Sequence, residues 1–468
     1  MVAVLAASAA CGEPATTPVD ARPALTDAGA DAPADAPGPR IVTVVELPST
    51  PLVAVDVLLV VDDSSGMAAK QAKLADALPA LIDRFAARPG GLPDLHLGVV
   101  TTDLGTSGAA SATPAPAIGT VGNGGCAGTG RAGALQTFGA AVTGAFVSDV
   151  AAGDGSRVRN YEGDLATLVG AIVRGAGEAG CGFEQPLAAM RAALGPIAAN
   201  AGFLRADAAL AVLVVSDEDD CSVASTAFFD PASTPLGPLG SFRCTRLGVT
   251  CAVGGPTPEA MDEVGTKTGC GPQVGLPYLD PVAPLRSFLV GVKGGDARRI
   301  AVGAIIGAPD PFEVVERTPT GGSPAPALLP SCGVVGGLAS AFPAVRIDAL
   351  LREFPLRSHR GSACADTLDA DLARFADAAV LALGSPCLTE LPLDLAPELG
   401  LQPDCVVDDV TTGGTTSLPA CGPAAITPCW RIVADATTCP RAPGLALEVM
   451  RAAPLEPSAV TRMRCTVP

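Results

Sequence analysis

The chain has 468 residues, and its 30 Lys and Arg against 48 Asp and Glu leave a formal net charge of −18 at pH 7. Phosphate backbones and anionic lipid headgroups repel such an excess of negative charge, so nucleic-acid binding is excluded from the expected functions. Hydrophobic residues make up 48% of the chain but aromatic residues only 3%, so a large core must be built from Ala, Val and Leu.

The N-terminal segment, residues 1–11 (MVAVLAASAAC), is apolar and rich in small residues up to Cys11. It resembles the end of a bacterial lipoprotein signal peptide, which implies acylation of Cys11 and an anchor in the outer membrane. Ser8 stands where such signals usually have leucine, and no basic residue precedes the apolar stretch. Cleavage as an ordinary secretory signal stays open, and both interpretations predict an exported protein.

Residues 12–40 are rich in Pro, Ala and Asp and have no apolar period, which predicts a disordered acidic tether. The pattern of a folded domain runs from residue 41 to residue 386. No further segment offers the run of about 20 apolar residues that a membrane span needs, so we expect contact with a membrane only through the lipid anchor. The folded part would face the periplasm or the cell surface.

Buried strands and amphipathic helices alternate through residues 41–386. Apolar runs without alternation predict strands buried on both faces at residues 55–61, 95–102, 209–215 and 299–306. Apolar residues three and four apart predict helices at residues 68–88, 165–173, 187–194 and 368–383. Cysteine-bearing loops are expected at residues 228–279. The alternation predicts an α/β fold, a doubly wound and mostly parallel sheet with helices on both faces.

The last segment, residues 387–468, has a different composition. It is rich in cysteine and proline and contains short β-like runs such as CWRIVAD and ALEVMR. This pattern predicts a small, disulfide-stapled, β-rich module.

The chain has 15 cysteines in no zinc-like spacing, which favours disulfides in an oxidising compartment over metal sites or reactive thiols. Acylation of Cys11 would leave an even number for pairing. Spacing does not determine connectivity. Some cysteines are expected to lie close together in the predicted fold or in the sequence. They suggest the pairs Cys181–Cys221, Cys244–Cys251 and Cys439–Cys465.

Two acidic turns follow predicted strands. VDVLLVVDDSSGM at residues 55–67 joins the first strand to the first helix, and LAVLVVSDEDDCS at residues 210–222 ends the third strand. Together with GCGFEQPLAAMRAAL at residues 180–194, they resemble a von Willebrand factor type A domain of the kind found in bacterial lipoproteins. The resemblance covers residues 41–387 and implies a protein-binding domain with a metal-ion-dependent adhesion site.

The cation ligands that the resemblance implies are Asp62, Ser64 and Asp217, with Ser65 and Asp219 as substitutes. The sequence departs from the family pattern at Gly66, which has no side-chain oxygen, and at residues 181–182, which include no threonine. Mg²⁺ prefers six oxygens in octahedral geometry, some from water, whereas Ca²⁺ accepts looser geometry. The resemblance therefore implies a degenerate site for a divalent cation, Mg²⁺ or Ca²⁺.

Other interpretations of these residues stay open. The acidic turns are also typical of helix N-caps, and Glu184 could point at the site or cap the helix beside it. Residues 122–130 lack the GK[ST] ending of a phosphate loop and predict a flexible loop. His96 lies in a predicted strand, and His359 lies in a polar loop where we expect it to be solvated.

The function that these observations favour is that of an exported, lipid-anchored, non-enzymatic protein that binds a protein partner through its strand-end face. A structural component of the cell envelope, without a dedicated ligand site, is the alternative. A hydrolase is disfavoured because no nucleophile–base pair is apparent and the HExxH and GxSxG motifs are absent.

Overall fold

The computed structural model describes residues 40–88, 90–318, 323–334, 337, 340–396, 401–423, 427–439, 442–456 and 458–468. The signal segment with Cys11 and the predicted tether up to residue 39 lie outside these residues. The helices are α1 (Ala68–Ala86), α2 (Leu165–Gly175), α3 (Pro186–Ala193), α4 (Phe242–Gly248), α5 (Pro258–Met261), α6 (Ala283–Val292), α7 (Val345–Arg352) and α8 (Asp369–Ala382).

The strands up to residue 253 are β1 (Arg40–Pro48), β2 (Ala54–Val61), β3 (Asp94–Thr101), β4 (Val147–Ala151), β5 (Arg157–Arg159), β6 (Ala209–Val215) and β7 (Val249–Val253). The later strands are β8 (Gly265–Pro272), β9 (Ile300–Ile306), β10 (Phe312–Arg317), β11 (Ala325–Leu328), β12 (Ser358–Ser362), β13 (Cys405–Thr411), β14 (Gly414–Leu418), β15 (Cys429–Ala434), β16 (Leu445–Met450) and β17 (Val460–Val467).

The central sheet has the strand order β12-β9-β6-β2-β3-β4-β5 within the described residues. The first five of these strands run parallel, and β4 and β5 add an antiparallel edge. Successive strand side chains point to opposite faces, and helices cover both of them. Val57 and Leu59 pack with α1, α2 and α8, whereas Leu58 and Val60 pack with α3, α6 and α7. The predicted fold class is confirmed.

One sequence expectation about the edge of this sheet is wrong. His359 does not lie in a solvated loop but on β12, where its side chain is 13% exposed and its Nε2 lies 2.9 Å from Asp371 Oδ1. The strand was missed because an edge strand buried against only one neighbour needs no continuous apolar run.

Two further sheets lie outside the central one. β7 and β8, which lie within the expected cysteine-bearing loops, form an antiparallel sheet with β10 and β11 in the order β11-β10-β8-β7, and none of these strands was predicted. The C-terminal module holds the antiparallel sheet β1-β17-β13-β14 and the pair β15-β16. β1 therefore belongs to the C-terminal sheet although it precedes the central one, while the domain boundaries themselves stay a prediction.

Every cysteine after Cys11 is paired. The disulfides are Cys126–Cys181, Cys221–Cys244, Cys251–Cys270, Cys332–Cys364, Cys387–Cys439, Cys405–Cys465 and Cys421–Cys429. Seven disulfides indicate an extracytoplasmic protein. Among the described residues, no helix is both long and apolar enough to cross a membrane.

The three expected pairings are wrong, and strand register explains two of the errors. Cys251 bonds Cys270 because the two lie directly opposite each other on β7 and β8. Cys465 bonds Cys405 for the same reason on β17 and β13. Cys181 bonds a loop cysteine, Cys126, to which sequence proximity gave no clue.

Candidate functional site

The carboxyl ends of β2, β3 and β6 lie side by side, because parallel strands in register end at one edge of a sheet. Val61 at the end of β2 pairs with Thr101 on one side and Val215 on the other. The two acidic turns therefore meet, and the Ser216 hydroxyl donates a hydrogen bond of 2.6 Å to Asp62 Oδ2. This edge, here named the strand-end rim, comprises residues 62–66, 102–105, 181–185 and 216–220.

Asp62 is fully buried at the centre of the rim. Its Oδ1 accepts a hydrogen bond of 2.8 Å from the Ser64 backbone N–H, and its Oδ2 accepts the one from Ser216. Burial, and after it the negative charge of Asp217, raises the pKa of Asp62 to about 6. Both oxygens of this carboxyl are thus engaged by donors of the protein itself.

Asp217 lies across the rim from Asp62, with its side chain 14% exposed. Lys70, a buried residue of α1, places its Nζ 2.8 Å from Asp217 Oδ2 and 3.4 Å from the Gly66 carbonyl oxygen. Burial raises the pKa of Asp217, and the hydrogen bond and charge of Lys70 oppose that rise. An ammonium group of the chain therefore supplies positive charge at this carboxylate.

Gly66 occupies the position at which the family pattern has its second serine. Its φ of +98° lies in the region that favours glycine, so a serine here would be strained. The N–H groups of Gly66 and Ala68 donate to Glu178 Oε1 at 3.0 and 3.2 Å. Glu178, and not the Asp62 turn, therefore caps the start of α1.

The remaining predicted ligands are placed differently. Ser64 is buried next to Asp62, whereas Ser65 is exposed. Asp219 accepts hydrogen bonds from the backbone N–H groups of Arg346 at 3.0 Å and Ile347 at 3.2 Å, in the first turn of α7. Asp219 therefore satisfies donors at the start of α7, 127 residues further along the chain, and does not cap a helix that follows its own turn.

Glu184 faces the rim, the first of the two possibilities that the sequence left open. Burial raises its pKa well above the usual value, and the charges of Glu218 and Asp62 raise it further. The helix beside it is capped instead by Asp220, whose Oδ1 accepts from the Leu187 N–H at 3.0 Å. Glu184 thus adds another buried carboxyl to the rim.

Glu218 adds a further carboxyl. Burial, followed by the charges of Asp217 and Asp62, raises its pKa to about 8, and a hydrogen bond with Glu184 partly offsets this. Lys70, the partner of Asp217, was not predicted from the sequence. Its position four residues after Gly66, one helical turn on, was the available signal.

Asp63, the second aspartate of the first turn, is also buried. Its Oδ1 has no hydrogen-bond partner among the described residues, and its Oδ2 lies 3.7 Å from Arg131 Nε. Burial, and then the charge of Asp103, raises the pKa of Asp63 to about 7.

Raising the pH from about 5 to 8 is expected to destabilise the native state. Unfolded carboxyls ionise near pH 4, whereas Asp62 and Glu218 keep their protons in the fold up to about pH 6 and 8. The native state binds more protons in this window, so the free energy of unfolding falls as pH rises. Urea unfolding at both pH values measures the slope.

In that experiment, the fall in the free energy of unfolding between the two pH values should be smaller for the Glu218→Gln variant than for wild type by about 1 kcal/mol or more. One unit of pKa shift corresponds to about 1.4 kcal/mol. The exposed Glu162 supplies the control, Glu162→Gln, which should keep the wild-type slope. Identical slopes in all three proteins would contradict the assignment.

The rim was tested for its fit to the implied divalent cation. Both carboxylate oxygens of Asp62 accept hydrogen bonds from the protein, and the Asp217 carboxylate forms an ion pair with Lys70. The Asp219 carboxylate accepts hydrogen bonds from the start of α7. Among the described residues, no group of three or more His, Cys, Asp or Glu side chains is arranged to hold a metal ion. As arranged, these residues do not fit a divalent cation, and cation binding stays a prediction.

An open cavity of about 140 Å³ adjoins the acidic turn after β6. The Asp217 carbonyl oxygen accepts a hydrogen bond of 2.7 Å from the Phe342 N–H, which joins the cavity wall to the rim. Arg317 lines the cavity and forms no ion pair with any described residue. The other lining residues are Glu218, Asp219, Ser241, Phe242, Cys244, Thr245, Ala327, Leu328 and Phe342.

No protein-family model and no curated protein matches this sequence. Among solved structures, the chain is similar to the human COPII-coat protein Sec24c, with 11% identity, a TM-score of 0.29, and coverage of 94% of this chain and 43% of Sec24c. It is also similar to the pilus adhesin RrgA from Streptococcus pneumoniae, with 11% identity, a TM-score of 0.26, and coverage of 91% and 58%.

The chain spans less than two thirds of either of these proteins. Both similarities are weak and support no assignment of function. The mixed, mostly parallel sheet is consistent with the fold that the type A resemblance implies.

Proposed function

We propose that this chain is a non-enzymatic, extracytoplasmic binding protein that docks a protein partner on the strand-end rim. The observation that carries the proposal is the open cavity beside the acidic turn after β6. Concave sites with apolar walls and a few convergent polar groups are the usual form of binding sites. The rim places partly exposed carboxylates next to such a site.

The chemistry of the cavity suggests what it would receive. Phe242, Leu328 and Phe342 provide apolar wall, and Arg317 provides a charge without an ion-pair partner among the described residues. An apolar side chain of the partner, placed next to a partner carboxylate, would match both features.

The positions of the two histidines support a non-enzymatic role. His96 lies on β3 opposite Asp56, near the amino end of the sheet, and its Nδ1 is 2.9 Å from the Phe203 carbonyl oxygen. His359, the second residue of the edge strand β12, pairs with Asp371 of α8. Neither ring lies at the strand-end rim, where it would have to act as a base.

Export and anchoring complete the proposal. The disulfides call for an oxidising compartment. The lipoprotein-like segment ending at Cys11, which lies outside the described residues, would attach the chain to the outer membrane, with residues 12–40 as a tether. Mass spectrometry of the mature protein, looking for acylated Cys11 at its N-terminus, tests this part.

Affinity capture from an envelope extract tests docking. Asp217→Asn alters the rim, and Leu328→Arg fills the adjoining cavity with charge. Each substitution should lower the captured amount of the partner about tenfold, the effect of losing one well-placed interface residue. The matched controls, Asp369→Asn and Leu395→Arg, change exposed residues elsewhere and should capture the partner like wild type.

Equal capture by all four variants would contradict docking at the rim. It would favour the alternative role, that of a structural component of the envelope without a dedicated ligand site.

A further inference from the structure

The rim concentrates buried carboxyls that need compensating positive charge. Asp62, Glu184 and Asp217 come from three separate segments, and each is at least largely buried. Like charges held together in a protein interior repel strongly unless a cation, a proton or a basic side chain lies among them. In a metal-dependent site of this kind, the compensating charge is the bound ion.

At Asp217, Lys70 provides that charge. Its side chain is 3% exposed, and its Nζ lies 2.8 Å from Asp217 Oδ2. The same Nζ lies 3.4 Å from the carbonyl oxygen of Gly66, the residue at the position of the missing serine ligand. The ammonium therefore sits between the two turns that would have to share an ion.

The backbone around Lys70 is held in place from several sides. Glu178 caps the first turn of α1, in which Lys70 lies. The next residue, Gln71, donates through Nε2 to the carbonyl oxygens of Asp62 at 2.8 Å and Gly177 at 2.7 Å. Burying a lysine without a partner is costly, so an ordered lysine at this depth must keep its carboxylate.

We infer that Lys70 takes the place of the divalent cation, so that the strand-end rim is complete without metal. An ion bound at Asp217 would approach the ammonium closely and be repelled by it, and displacing Lys70 would leave a buried charge unpaired. The consequence for docking, which rests on the proposed function, is that partner binding needs no metal and survives EDTA.

Calorimetric titration of Mg²⁺, Ca²⁺ and Mn²⁺ into the purified, disulfide-intact chain tests the inference without any partner. Wild type should give no saturable heat. Lys70→Met removes the charge but keeps the apolar stem, and at least one ion should now give saturable heat, because a repelling charge within about 4 Å is gone.

Lys73→Met is the matched control. Lys73 lies on the same helix, and its Nζ bonds the carbonyl oxygen of Ala365 and not a rim carboxylate. This variant should behave like wild type. Saturable binding to wild type that disappears in Asp217→Asn would overturn the inference, and so would a folded Lys70→Met variant that gains no affinity.

Thermal unfolding of wild type keeps the inference testable should Lys70→Met not fold. Ligands that bind the native state raise its melting temperature. Adding EDTA, or millimolar divalent chloride against NaCl of equal ionic strength, should leave the melting temperature unchanged. A rise that is specific to a divalent ion and absent in Asp217→Asn would overturn the inference. Failure of partner capture alone would count against docking and leave these results intact.

Discussion

Replacing Asp56 by alanine is expected to lower the free energy of unfolding by about 3–5 kcal/mol, the usual cost of leaving a buried charge without its partner. Asp56 and Lys293 are both fully buried, and Lys293 Nζ lies 2.9 Å from Asp56 Oδ2. Arg205 donates to the same carboxylate through its backbone N–H and its Nε, each at 2.8 Å. One carboxylate of β2 thus binds two basic residues at the amino end of the sheet.

The same network joins segments that are far apart in the chain. Arg205 Nη2 also donates to the carbonyl oxygens of Val55 and Asp94, which ties the loop before β6 to β2 and β3. Without the Asp56 carboxylate, the Lys293 ammonium would keep only its hydrogen bond to the Arg205 carbonyl oxygen, at 2.7 Å, within the described residues. The loss should therefore affect the whole central sheet.

Urea unfolding followed by far-UV circular dichroism measures the effect of Asp56→Ala. Asp76→Ala is the control, because Asp76 is 74% exposed and pairs with Arg174 only at the surface. We expect the control to unfold at the wild-type midpoint. An Asp56→Ala variant that is as stable as the control would show that the network makes no net contribution.

Removing the Cys405–Cys465 disulfide is expected to destabilise the C-terminal module by about 4 kcal/mol, the loop-entropy value for a closed loop of this length. The bond spans 60 residues and joins β13 to β17, the two central strands of the module's main sheet. The core beneath this sheet contains Met463, Leu447 and Trp430. Loss of the bond should therefore loosen the packing around the tryptophan.

Trp430 makes this prediction easy to measure, because it is the only tryptophan of the chain. It is 7% exposed, and its Nε1–H donates to the Leu418 carbonyl oxygen at 3.0 Å. In the double variant Cys405→Ser, Cys465→Ser, the fluorescence emission of Trp430 should shift to the red. The urea midpoint of unfolding that this emission reports should fall.

The matched control is Cys332→Ser, Cys364→Ser, which removes a disulfide whose cysteines pack against the central core. Its Trp430 emission should stay at the wild-type wavelength. An equal red shift in both double variants would contradict a module-specific role for the Cys405–Cys465 bond.

The central elements were predictable because burial leaves a local signature. A parallel strand covered on both faces is a continuous apolar run, and β6 occupies the residues expected from that run, Ala209–Val215. α1 begins at the expected residue and ends at Ala86, two residues early. β12 and the sheet β11-β10-β8-β7 were missed, because short strands at edges and in cysteine-rich loops carry no comparable run.

The site was predictable only in part. Asp62 and Asp217 could be assigned to one edge of the sheet, because parallel strands end on the same side. The directions of nearby side chains were not available from the sequence. Glu184 turned towards the rim, whereas Asp219 turned towards α7. Each choice depends on which donor or charge the tertiary packing brings close.

The amino-acid sequence by itself determined the alternation of buried strands and helices, the acidic turns at their ends and a number of cysteines that favours disulfides. Only the tertiary structure decided the disulfide partners and the partners of the buried charges. The physical reason is the distance along the chain, because a periodic pattern relates only residues that are a few positions apart. Lys70 and Asp217 are 147 residues apart, and Asp56 and Lys293 are 237 apart. No local pattern records such contacts.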